Sequence, residues 1–577
     1  MSYEKEDKKK IYDNSNIAES YAGVTTPLTF SFARYVYQEV YQHFSKMMGA
    51  SDKLIQENKF TFEHMIEFIG YRIYYNLNSW YTMLSFFPAY KFSSEFMEKM
   101  MGVEKRSVFA IERPYNFFSK YFFYLPKTIL QGMKIIFVFS LLGRQMKKFS
   151  KYFEHVFSEL NTIDLDELSH NELKELYNEA EKKLLTQWKV PIANDFAVMV
   201  STGLADKLFR KWLASDKAYS YMISGVNKPL TSLDPGNKII HITHLIRQDE
   251  NVKKVFLSGY SEKEILELLR GKLKNHGITD AIESYLDDFG TRMPNELKLE
   301  SETLTENPKN LISILKKLIK ADNSLRKSKE ADPRDTSFKK LGLPKRIFLK
   351  WLLRWSGNSI HRREEARFYR TLIFGYVRRI FLAIGQKLAR EKIIKNERDI
   401  FYLTIGEIFN IIDGKQLSST PDLIVEQRKR EFEKWQNLSL PRRIESAKDI
   451  PIIEEEILGK QLATQKTLSD KLIGRVASCP NKLATFSGIA LTLKSFDPSA
   501  DFEGKILVTS QTDPGWTIVF PFLKGVVVER GGMLSHAAIV ARELNIPCIV
   551  GVENATDVIK SGMNINLDLH SGLIQKL

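Results

Sequence analysis

One stretch, residues 524–552, constrains the architecture of this chain more than any other. It reads KGVVVERGGMLSHAAIVARELNIPCIVGV. A β-rich apolar run at 525–528 enters a turn at Gly531 and Gly532. An Ala-rich helix then runs to about Leu544, and a second strand follows at 546–551. Ser535 is a natural N-cap, which puts His536 in the first helical turn. There the unpaired backbone N–H groups and the positive end of the helix dipole favour an anion. A neutral imidazole at that place can attack a phosphate, and the helix N-terminus would hold the product. The paired glycines let backbone or substrate approach without a Cβ in the way. The plainer reading is a capped helix with an incidental histidine.

The whole chain sets wide bounds. Its 577 residues suffice for two to four domains. A hydrophobic content of 43% with 27% charged residues is ordinary for a globular protein. The longest apolar stretch, 129–142, is broken by Gln131 and Lys134 and is too short to span a bilayer. The N-terminus, MSYEKEDKKK, lacks the apolar segment of a signal peptide. Two cysteines, Cys479 and Cys548, give no disulfide framework and fit a reducing cytoplasm. The net charge of +15 permits nucleic-acid binding, but the basic residues are spread along the chain and no nucleic-acid motif accompanies them.

Texture divides the chain. From residue 27 to about 436 apolar residues recur at helical spacing, as in 30–44, 173–188 and 367–387. Pro441 and the polar stretch 446–469 mark a boundary; its acidic run at 454–456 reads as a short helix or else as part of a connector. From about 472 short β-rich runs alternate with Gly, Pro, Asp and Ser. The expected organisation is multidomain: a mainly α domain over 1–445, a linker over 446–469 and an α/β domain over 470–577.

The segment GGMLSHAAIVARELNIPCIVG resembles the phosphohistidine signature of the phosphoenolpyruvate-utilising enzymes, and ILVTSQTDPGWTIVF at 506–520 resembles the Thr-Asp-Pro segment that precedes it there. The superfamily includes phosphoenolpyruvate synthase, pyruvate phosphate dikinase and rifampicin phosphotransferase. The resemblance implies that 470–577 is a swivelling domain with His536 as its phosphoryl carrier. Leu534 stands where dikinases have a regulatory threonine, so that switch is not carried over. The helical region resembles rifampicin phosphotransferases and synthase-like proteins in ESYAGVTTPLTFSFAR (19–34), YRIYYNLNSWYTMLSFFPAY (71–90), YLDDFGTRMPNELKL (285–299), HRREEARFYR (361–370) and RDIFYLTIGEI (398–408). This implies an acceptor-type domain. Neither the family's ATP-grasp domain nor its phosphoenolpyruvate-binding barrel is expected within the chain. Phenylphosphate synthase is a precedent for such a split between subunits.

Phosphoryl transfer is mostly positioning and charge neutralisation. Arg363 and Arg367 lie one helical turn apart, with Glu364 beside Arg367; the arginines supply cations over the moving oxygens and Glu364 the base for the hydroxyl proton. The resembling motif places an Arg-Glu pair and a nearby cation at the phosphoryl-accepting site, which gives these roles to Arg363, Glu364 and Arg367; the alternative is a salt-bridged surface helix. Arg292 and Glu296 form a second candidate pair, or an ion pair that fixes a turn. Thr512 and Asp513 orient His536 or make an Asx-type turn. Trp80, Tyr81, Phe86, Phe87 and Tyr90 line an acceptor pocket or belong to core. His241 and His244 have no third metal ligand, and no metal site is expected.

The resulting expectation is a phosphotransferase component with a phosphohistidine intermediate. His536 is charged at the nucleotide site of a separate ATP-grasp subunit, where Mg and ATP bind, and the domain swings on 446–469 to a small hydroxylated organic acceptor. No cofactor is expected on this chain alone, and no nucleic-acid or membrane partner. The rival readings are a non-catalytic relative that binds a small molecule or regulates a kinase, and a basic nucleic-acid-binding protein.

Overall fold

The computed structural model describes residues 9–87, 125–213, 218, 221–222, 234–271, 273, 276–320, 338, 341–438, 440–461, 472–480, 484–533 and 535–577. The fold is multidomain, with a mostly helical N-terminal region and a strand-rich C-terminal domain. It divides into two compact units. The first comprises 1–218, 297–300 and 339–465; the second comprises 219–296, 301–338 and 466–577. This division differs from the boundaries read in the sequence, because a helical stretch from the middle of the chain clusters with the C-terminal domain.

The first unit is organised by helix Leu343–Arg390, which at 48 residues is about 72 Å long at 1.5 Å per residue. Pro344 at its start supplies a preset φ where no N–H partner is needed. Its buried face, including Ala366, Tyr369, Ile373, Val377, Ile380 and Ile384, joins the main core. Helix Lys189–Leu213 lies along it, and Asn194 clamps the pair: its Nδ2 donates to Ser359 O at 2.8 Å and its Oδ1 accepts from Arg362 Nε at 3.1 Å.

A small sheet also belongs to this unit, which the helical periodicity did not foretell. Its strands are β1 (Lys10–Asp13), β2 (Ile66–Ile69), β3 (Arg72–Asn76) and β4 (Arg443–Ser446), in the order β2-β3-β1-β4. Gly70 and Tyr71 both have positive φ, +54° and +57°, the geometry of a two-residue hairpin turn between β2 and β3. The strands are too short to give a clear alternation. Residues 297–300 are drawn into the same unit by polar contacts. Glu300 accepts from Thr26 N, Thr26 Oγ1 and Thr29 Oγ1 at 3.1, 2.9 and 2.6 Å, and Lys298 Nζ donates to Val24 O at 2.7 Å.

The stretch read as a linker is in part structured. Helix Ile450–Gln461 occupies its first half, with Ile453 buried beside Tyr71, Tyr74, Trp435 and Leu440. Within the acidic run, Glu454 accepts the Gly70 N–H at 2.6 Å. The apolar residues Ile453, Ile457 and Leu458 at helical spacing explain why this segment docks rather than spans. Residues 462–471 lie outside the described residues.

In the second unit, helices Asp234–Gln248, Glu250–Leu257, Glu262–Arg270, His276–Phe289 and Lys309–Lys320 accompany an eight-stranded sheet. Its strands are β5 (Leu472–Ile473), β6 (Arg475–Ser478), β7 (Thr485–Leu493), β8 (Ile506–Thr509), β9 (Gly525–Val528), β10 (Cys548–Val550), β11 (Asn564–Asp568) and β12 (Leu573–Lys576), in the order β5-β12-β11-β7-β8-β9-β10-β6. The run β7-β8-β9-β10 is parallel, and its middle strands are fully buried, as their unbroken apolar sequences require. Helix His536–Glu543 connects β9 to the parallel β10, a βαβ crossover. Among the described residues no helix is long and apolar enough to cross a membrane.

Candidate functional site

His536 is the first residue of its helix. Ser535 precedes it in extended conformation, and its Oγ accepts from Ala538 N at 3.5 Å. Gly531, with φ +116°, makes the turn out of β9, and Gly532 O accepts the Ser535 N–H at 3.0 Å. Arg542 Nη1 donates to Met533 O at 2.6 Å and ties the turn to its own helix. The turn and cap thus lie where the sequence put them; Leu534 falls outside the described residues.

The imidazole is held at both nitrogens. Thr512 Oγ1 is 3.2 Å from Nδ1 and Thr517 Oγ1 is 3.0 Å from Nε2. A hydroxyl donates or accepts as its partner demands, so either neutral tautomer is served. Phe520 meets the ring edge-on, centroids 5.7 Å apart, and only 2% of His536 is exposed. Of the pair Thr512 and Asp513, the threonine is the one placed at hydrogen-bond distance from an imidazole nitrogen. Asp513 makes the Asx-type turn: Oδ1 accepts from Gly515 N at 3.0 Å, and Oδ2 accepts from Asn295 N at 2.6 Å. Gly515 is required there, because a Cβ would stand 2.1 Å from the carbonyl carbon of Met293. Thr517 and Phe520 were missed in the sequence. Both lie in the quoted 506–520 segment, but no periodicity marks them as neighbours of a histidine farther along.

Arg292 and Glu296 sit in the same unit as His536. They are both buried and 3.7 Å apart, Arg292 Nη1 to Glu296 Oε1.

Arg363, Glu364 and Arg367 belong to the first unit, midway along helix Leu343–Arg390. They do not form an exposed charge ladder. Glu364 is 2% exposed, and its Oε1 lies 3.1 Å from Arg367 Nη1. Arg363 Nε is 3.4 Å from Asp195 Oδ1 of the neighbouring helix. Glu19 and Arg370 complete a charged cluster deep in the unit. Burial pushes the Glu19 carboxyl up to about 7 against the pull of Arg367 and Arg363, with Glu364 adding to the rise. Burial also raises Asp195 despite Arg363, Arg367 and Arg370, and pulls the Arg363 guanidinium below its ordinary value. Asp195 nevertheless keeps 43% of its side-chain surface accessible. Solvent therefore reaches the cluster at Asp195.

Aromatic residues flank this cluster. Tyr37 and Tyr41 are half-buried and feel the charges of Arg370 and Asp195. The Tyr37 and Tyr75 hydroxyls are 3.4 Å apart, and Trp80 meets Tyr41 and Tyr75 edge-on at 4.8 and 5.1 Å. Trp80, Tyr81, Phe86 and Phe87 are buried in the main core, and Trp80 Nε1 donates to Met65 O at 3.2 Å. Tyr90 lies outside the described residues. His241 and His244 are exposed on Asp234–Gln248, and no group of three or more His, Cys, Asp or Glu among the described residues is placed to hold a metal ion.

Two family models match. Residues 501–572 match the PEP-utilising enzyme mobile domain, and residues 192–364 match the rifampicin phosphotransferase fourth domain. Over residues 501–572 the chain is therefore similar to the mobile domain of PEP-utilising enzymes. Among curated relatives, the rifampicin phosphotransferase of Bacillus cereus is 26% identical over 404 residues, 67% of this chain and 44% of that protein. The rifampicin phosphotransferase of Bacillus subtilis is 27% identical over 411 residues, 68% of this chain and 45% of that protein. A probable phosphoenolpyruvate synthase of Staphylothermus marinus is 41% identical over 124 residues, 21% of this chain and 14% of that protein. The chain spans under half the length of the rifampicin phosphotransferases it matches.

Proposed function

We propose that this chain is a phosphotransferase component in which His536 carries a phosphoryl group to a hydroxyl of a small organic acceptor. The reading is supported above all by one observation: His536 opens a capped helix behind a Gly-Gly turn, with its ring aligned by two threonines. In the charging step an imidazole nitrogen bonds to the β-phosphorus of the donor as its bond to the AMP oxygen breaks, and water then takes the γ-phosphoryl group as phosphate. The donor is ATP with Mg at a nucleotide site on a separate ATP-grasp protein, and the transferred group is the β-phosphoryl. His536 leaves its threonine shelter for both transfers. In the discharge step the acceptor oxygen bonds to phosphorus and the N–P bond breaks. Arg363 and Arg367 neutralise the moving oxygens, arginine's planar fork being suited to them. A buried carboxylate of the same cluster takes the hydroxyl proton. The net reaction is ATP, water and acceptor giving AMP, phosphate and phosphorylated acceptor.

The test is incubation with β-labelled ATP and a candidate ATP-grasp protein. Acid-labile, base-stable label is expected on His536. Equal labelling of His536→Ala would overturn the assignment.

A further inference from the structure

The charged cluster around Arg363 contains a carboxyl group that stands apart from the others. Glu364 is committed to Arg367 at 3.1 Å, and Asp195 faces Arg363 at 3.4 Å. Glu19 ends the short turn Ile17–Glu19, and its Oε1 is buried without a hydrogen-bond partner. Two arginine atoms in the cluster share that condition, Nη1 of Arg363 and Nε of Arg370. Buried polar atoms are almost always paired, so three unpaired ones in a cluster that solvent reaches at Asp195 describe a site built for a polar ligand. Tyr37 and Tyr41, with ring centroids 5.7 Å apart, feel the charges of Arg370 and Asp195, and a flat aromatic body suits such neighbours.

We propose that Glu19 takes the proton of the acceptor hydroxyl, and that Glu364 positions Arg367 instead of acting as the base. This rests on the reading of the cluster as the acceptor site. In the step, the acceptor oxygen bonds to phosphorus while the N–P bond breaks. The phosphohistidine ring, protonated at its other nitrogen, departs as neutral imidazole. The hydroxyl proton moves to the Glu19 carboxylate. A carboxyl group that titrates at about 7 is matched to taking a proton at neutral pH. The charges facing it are Arg363, Glu364 and Arg367, with Arg370 and Asp195 farther in the cluster.

The full chain is phosphorylated with labelled phosphoramidate and chased with 2-naphthol as a flat hydroxyl probe, subtracting hydrolysis without probe. In the wild type, discharge rises with pH through about 7. Glu19→Gln slows it by about 10²–10⁴-fold and abolishes the rise, whereas Glu364→Gln slows it but keeps the rise. A wild-type rate and profile in Glu19→Gln, or loss of the rise in Glu364→Gln alone, overturns the proposal. Equal label on His536→Ala would instead overturn the phosphoryl-carrier reading itself. A second measurement needs no acceptor. Infrared titration should show a carboxylic-acid band that disappears through about 7 in Glu543→Gln, a background chosen because Glu543 is also pushed up to about 7 by burial. The band should be absent once Glu19→Gln is added; its persistence there sinks the assignment.

Discussion

At the scale of single residues, His536 takes its structural support from its own neighbours in sequence. The turn, the cap and the helix are all local. The same holds for Glu364 and Arg367, three apart on one helix. Glu19, Asp195 and Arg370 were not legible as a group, since only packing of Ile17–Glu19 and Lys189–Leu213 around the long helix joins them. Two outcomes belong here. Arg363→Ala should leave charging of His536 intact and slow discharge by about 10²–10³-fold, a loss typical of a group that stabilises developing charge. A single-turnover chase of the phosphorylated chain measures it; discharge at the wild-type rate would leave the arginine a structural ion-pair partner. The second concerns stability. Glu19 has a higher pKa folded, about 7, than its ordinary 4.5, so the native state holds the extra proton between those values. Stability therefore falls as pH rises across that window. Glu19→Gln should remove this dependence, so its Tm relative to wild type should climb from pH 4.5 to 7 in thermal melts.

At the scale of elements, the βαβ crossover was readable from composition alone: apolar β-branched runs on either side of an Ala-rich helix with a glycine turn. The small sheet of the first unit was not. Its strands are four or five residues long, and β1 pairs with β4 across most of the chain. No local pattern announces such a contact. In 446–469 the acidic run offered a short helix as one of two readings; helix Ile450–Gln461 forms there, and its four buried or half-buried apolar residues, which the polar look of the stretch hid, dock it. The hairpin turn at Gly70 gives the test. A Cβ there would lie 2.8 Å from both Leu440 and Trp435, on a backbone with φ +54°. Gly70→Ala should cost about 1–3 kcal/mol through overcrowding, seen as an earlier midpoint in denaturant. An unchanged midpoint would mean that Leu440 and Trp435 give way to the added methyl group without loss.

At the scale of the whole molecule, the fold class was legible and the assignment of the middle segment was not. Helical periodicity identifies residues 234–320 as helical without saying which domain they accompany. That choice is made by contacts such as Asn295 N to Asp513, between residues 218 positions apart. On the proposed reading, the purified chain should show neither ATP hydrolysis nor labelling of His536 until an ATP-grasp protein is added; robust turnover without one would overturn the division of labour. A final consequence follows from the threonine-held imidazole. A reactive ring enclosed at both nitrogens is insulated from stray electrophiles while it idles. Its modification by diethyl pyrocarbonate is then a clock for opening: fast opening of the shelter gives fast loss of phosphoryl-accepting capacity, and Thr517→Ala should set that clock running faster.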